Sequence, residues 1–166
     1  MENTSHQIGK HLTDVYFGGN WTAVNIHDSL VDVTWQQATQ PISDFNTIAT
    51  LTFHTHYFVA AILDVLEGRP LTAKDKYSFD HPPIHSQEDW KNMLQTVFTD
   101  VRRTVTLIED LDPQKLHDTF VDPKYGNFYR NLHGLIEHTH YHLGQITFLK
   151  KMVKQARGKN QLSQRR

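Results

Sequence analysis

The chain has 166 residues, enough for one domain with a substantial core. Its 17 Lys and Arg balance 18 Asp and Glu, for a net charge of −1, which argues against a nucleic-acid binder that relies on bulk charge. There is no cysteine, so disulfides, thiolate metal sites and cysteine nucleophiles are excluded.

The opening MENTSHQIGKHL is polar and lacks the apolar core of a signal peptide. No apolar run reads as long enough to span a bilayer. The expectation is a soluble, cytoplasmic protein without a membrane partner. The first helical pattern runs from about Thr4 to Phe17, with Ile8, Leu12, Val15 and Tyr16 on one side, and stops at Gly18-Gly19. A turn or short helix then carries the chain to Thr34.

Residues 44–67 read as a second long helix, with Asp44 as N-cap and Gly68 and Pro70 closing it. The stretch RPLTAKDKYSFDHPPIHS is a loop, long for a compact domain, and such loops often cover a site. Ser86, with Glu88 and Asp89, opens a third helix carrying Trp90, Leu94, Val97, Phe98, Val101, Val105 and Ile108, which ends near Asp112-Pro113. A fourth runs from about Phe128 to Gln155. Residues 1–155 form the expected single domain and 156–166 a basic, solvated tail. No segment alternates with period 2. Four long helices with apolar faces predict an all-α, four-helix bundle of the up-and-down kind, with a long loop between the second and third helices.

Histidine is the outlier, at 12 residues spread from His6 to His142. Three fall in LIEHTHYHLGQI. A helical residue turns by about 100°, so His138 and His142, four apart, share a face, and His140 points away. Leu135, Ile146, Leu149 and Val153 are in phase with the pair, which places it on the core side. The His140 face, with His133, Glu137, Thr147 and Lys151, reads as solvent-facing. Burying imidazoles costs free energy unless their nitrogens find partners. Two of them one turn apart suit a divalent metal; a buried hydrogen-bond network is the alternative.

A third ligand can come from LTFHTHYF on the second helix, as His54 or His56. That helix is apolar nearly all round, so the wheel does not decide between them. Gln145, three after His142, reaches either the edge of the site or a partner helix. Glu137 reads as a surface carboxylate. Asp75, Asp80, His81 and His85 can line the mouth of a pocket. Tyr125 and Tyr129 read as packing residues, and Trp21, Trp35 and Trp90 as core or interface anchors. His6, His11, His27, His117 and His133 read as incidental.

EHTHYHLGQI resembles the last-helix motif of the DinB/YfiT-like proteins, metal-binding four-helix bundles. The matching residues are His138, His142, Gly144 and Gln145. GGNWT, DKYSFDHPPI, DW and KYGNFYRN are similar to one branch of the same superfamily, so the resemblance covers nearly the whole chain. It implies a metal held by His54, His138 and His142, with His54 favoured over His56 by its distance from Gly68. It implies a divalent transition metal such as zinc, nickel or iron, and no single reaction. Some members are thiol S-transferases using low-molecular-weight thiols. The expectation is a metal-dependent transferase or hydrolase acting on a small molecule; the alternative is a non-catalytic metal-binding or structural bundle. A homodimer is compatible with the apolar helices.

Overall fold

A computed structural model describes residues 3–163 of the chain. It is all-helical: six α-helices and three short 3-10 turns, with two isolated bridges and no strand among the described residues. Four helices are long: α1 (Thr4–Phe17), α4 (Ile48–Leu66), α5 (Gln87–Glu109) and α6 (Phe128–Ser163). Two short ones, α2 (Ile26–Leu30) and α3 (Trp35–Ala38), bridge α1 to α4.

The caps explain the boundaries. Asn3, Thr47 and Ser86 each accept a backbone N–H at the start of α1, α4 and α5. Thr47, rather than the expected Asp44, starts α4. The chain before it is folded into a tight turn, with Ile42 bridged to Phe45 and Ser43 at φ 49°. Gly18 ends α1 at φ 110°, a conformation that side chains resist. The last helix continues to Ser163, beyond the expected end at Gln155. The final part of the expected tail, 164–166, lies outside the described residues.

The four long helices form a ring in which α1 and α4 each pack against both α5 and α6. Contacting residues give the directions. Phe17 meets Phe98 while Gly9 meets Glu109, so α1 and α5 are antiparallel. His54 meets His142 and Phe58 meets His138, so α4 and α6 are antiparallel. His56 bonds Asp100 and Glu67 bonds Arg103, so α4 and α5 run parallel. The expected up-and-down order therefore needs correction, because consecutive helices there alternate in direction. Parallel neighbours also explain the long loop after α4: it must return along a helix of about 28 Å.

The core is a continuous apolar cluster that includes Leu12, Val15, Ile48, Val59, Val97, Ile108, Leu132 and Ile146. Trp90 is fully buried, and its indole N–H donates to the Val33 carbonyl at 2.9 Å. Trp21, expected as an anchor, is fully exposed. On length and composition α4 could cross a bilayer, contrary to the reading that no run reaches that length. Half of it is buried against its neighbours, as suits a core helix.

Candidate metal centre

The site lies in the seam between α4 and α6. The stripe on α6 is buried as its period requires, with Leu135, Ile146, Leu149 and Val153 all inside. His142 is buried among them and His138 is half-buried. From α4, His54 is buried and points into the same seam. One ring nitrogen from each of His54, His138 and His142 lies within 4.8 Å of the other two. The Nε2 atoms of His54 and His138 are 3.0 Å apart.

His56 does not join them. Its Nε2 bonds the Asp100 carboxylate on α5 at 2.7 Å. His140 does not join them either. It is half-buried beside His11 of α1, with ring centroids 6.1 Å apart, while Glu137 and Lys151 of the same face are exposed as expected.

The other ring nitrogens are held from outside the cluster. Gln145 Oε1 is 2.7 Å from His142 Nδ1; an amide oxygen can only accept, so Nδ1 carries the proton and Nε2 keeps its lone pair. Ser78 Oγ lies 2.9 Å from His54 Nδ1 and 3.5 Å from Asp75 Oδ1. With the serine proton directed at the carboxylate, Oγ accepts from His54 Nδ1, and Nε2 of His54 is again bare. His138 Nδ1 is buried with no partner among the described residues.

Gln145 comes from α6 itself, and the long loop supplies Ser78 and Asp75. Tyr57 of α4 clamps it: the phenol donates to the Lys74 carbonyl at 3.0 Å and accepts from the Lys74 N–H at 2.8 Å. A 3-10 turn, Asp75–Tyr77, follows and aims Ser78 inward. Phe79 then stacks on His54, centroids 4.0 Å apart and ring planes nearly parallel, while Phe58 makes T-shaped contacts with His54 and His138. Ser78, Phe79 and Tyr57 were not singled out from the sequence. SFD in the loop gives no periodic signal, and only the return path of the loop brings it to α4. Asp75 does reach the site; Asp80, His81 and His85 have no contact with the triad, and His81 bonds the Pro82 carbonyl.

All three imidazoles are biased toward the neutral form. Burial, then His142 and His54, hold His138 down to about 4. Burial, then His142, lowers His54, and burial lowers His142. A neutral ring with a bare Nε2 is the form that ligates a metal. Two nitrogens bound to one metal at about 2.0–2.1 Å would stand roughly 2.9–3.4 Å apart, so the His54–His138 separation fits. The residues present therefore suit a divalent metal, with three neutral nitrogen donors and no carboxylate among them.

Beside His138 a cleft of about 770 Å³ opens between α4, α6 and the long loop. Tyr125 and Tyr129, expected to be packing residues, are exposed on its wall, and Glu137 is also on it. No curated protein and no solved structure matches the chain. The family model described as the DinB superfamily matches residues 11–146. That span takes in α2 to α5 whole, parts of α1 and α6, and all three histidines of the cluster; the chain belongs to the DinB superfamily.

Proposed function

We propose that His54, His138 and His142 hold a divalent transition metal, with zinc, nickel and iron all chemically acceptable. In this reading the ring of long helices is a metal-binding four-helix bundle, and the protein is an enzyme that works on a small molecule. One observation carries it. The Nε2 atoms of His54 and His138 face each other at 3.0 Å while Ser78 and Gln145 occupy the Nδ1 atoms of His54 and His142. With Nε2 of His138 bare as well, two lone pairs at that distance repel each other and call for a cation between them.

A metal held by three neutral imidazoles keeps its full positive charge, and would lower the pKa of a bound water or hold a thiolate for attack. The reaction class is therefore a thiol S-transfer using a low-molecular-weight thiol, or a hydrolysis. The chain's own residues orient the rings: Gln145 fixes His142, Ser78 with Asp75 fixes His54, and Phe58 and Phe79 exclude water from two sides. A cytoplasmic setting, where such thiols are abundant, suits a cysteine-free chain.

A second reading has its own observation. His138 Nδ1 lacks the outer partner that metal-bound histidines almost always have. If His138 Nε2 carries a proton, it donates to His54 Nε2, and the cluster is a buried hydrogen-bond network in a non-catalytic bundle. Elemental mass spectrometry decides between them. Untagged protein, purified without chelator, is compared with a His54→Ala/His142→Ala variant. About one transition metal per chain, lost in the variant, supports the metal reading and justifies screening thiols with electrophiles and esters. No metal, even after incubation with zinc, nickel or iron, leaves the hydrogen-bond network.

A further inference from the structure

The cleft beside His138 is polarised along its length. At one end it is bounded by His138 with Asp75 and Glu137. The other end carries Arg130, eight residues earlier on α6 and so about 12 Å away along the helix. Arg130 is exposed, and among the described residues no carboxylate lies within ion-pair distance of it. Its stem runs past Gly126. Between the two ends Phe58, Ile62, Leu71, Phe120 and Leu135 make an apolar wall, with Asn131 and His133 of α6 also lining the cleft.

Gly134 lies midway, four residues from each of Arg130 and His138. Glycine inside a helix costs roughly 0.5–1 kcal/mol relative to alanine. Packing does not demand it here, because a Cβ at this position would meet nothing within 4 Å. Its φ is not in the left-handed region either. What the missing side chain leaves is an open floor along α6 between the arginine and the histidine. The volume is that of a drug-sized ligand.

We propose that this cleft is the substrate site and takes an elongated small molecule ending in a carboxylate. The carboxylate pairs with the Arg130 guanidinium, whose planar donors match its two oxygens. The apolar or aromatic midsection lies over Gly134, and the far end reaches His138. Asp75 and Glu137 repel an anion at that far end and so set the direction of binding. Only the assignment of the far end as the reacting end rests on the metal reading above; the carboxylate subsite stands on the cleft itself.

The probes are 4-phenylbutyrate and its uncharged amide, 4-phenylbutyramide, titrated into the full chain and followed by NMR chemical shifts. Wild type binds the carboxylate about tenfold or more tightly than the amide. Arg130→Gln abolishes that preference. Gly134→Leu, which grows into the open floor, abolishes binding of both while its melting temperature holds or rises. Equal binding of the two probes by wild type, or an unchanged preference in Arg130→Gln, overturns the arginine anchor. Binding of neither probe by wild type, or normal binding by folded Gly134→Leu, overturns the cleft as the site. Metal content measured on the same samples separates the two ideas. Wild type that discriminates the probes but holds no metal removes the metal reading and leaves the carboxylate subsite standing.

Discussion

His54 and His56 leave the same helix two residues apart and meet opposite chemistry. Toward α6, His54 finds two more imidazoles and no carboxylate within bonding distance, with a serine on its far nitrogen. Toward α5, His56 finds Asp100 at 2.7 Å, which accepts from its Nε2 and ends its search for a partner. One seam concentrates lone pairs, the other neutralises a single ring. The difference teaches that on an apolar helix the neighbour decides what a histidine does. α5 offers an acid and makes a structural bond; α6 offers bases and makes a candidate ligand set.

The sharpest way to break this comparison is to remove each histidine in turn. His54→Ala is expected to drop bound metal from about one per chain to near zero, and His56→Ala to leave it unchanged, both read by elemental analysis. Equal losses would mean that the two seams are not chemically distinct.

Acid probes the α4·α6 seam as a whole. The folded state holds His54, His138 and His142 below their ordinary value of 6.5, and His138 down to about 4. Below pH 6.5 the unfolded chain therefore takes up protons that the folded chain refuses. Stability of the metal-free protein is full above that pH and is lost as pH falls from 6.5 through about 4. Chemical denaturation at a series of pH values checks the direction; stability that rises on acidification would contradict the burial of these rings.

Smaller effects test the supports. Ser78→Ala removes the partner of His54 Nδ1 and is expected to weaken metal affinity about 10–100-fold, measured by competition with a chelator. His56→Ala deletes a part-buried bond to a carboxylate and leaves Asp100 alone, at a cost of about 1–3 kcal/mol in urea unfolding. If His56→Ala costs nothing, the α4·α5 bond is not structural and the contrast between the seams rests on α6 alone.

Much of this was legible in the residues. The period of α6 put His138 and His142 together and turned His140 away, because a helical wheel depends only on spacing along one helix. The end of α1 and the start of α5 followed from Gly18 and Ser86 for the same local reason. The start of α4 was misplaced because Asp44 and Thr47 are both capping residues, and only the turn at 42–45 discards the first.

Composition and periodicity alone thus determined an all-helical chain, a long loop after α4 and an inward histidine pair on α6. Family likeness added the preference for His54. The tertiary structure decided the rest: the parallel course of α4 and α5, the pairing of His56 with Asp100, and the delivery of Ser78 and Phe79 onto His54. The cleft that Arg130 and His138 both line belongs with these. Periodicity tells which residues share a face of one helix. Which face meets which is set by burying all the apolar stripes at once, through contacts between residues far apart in the chain.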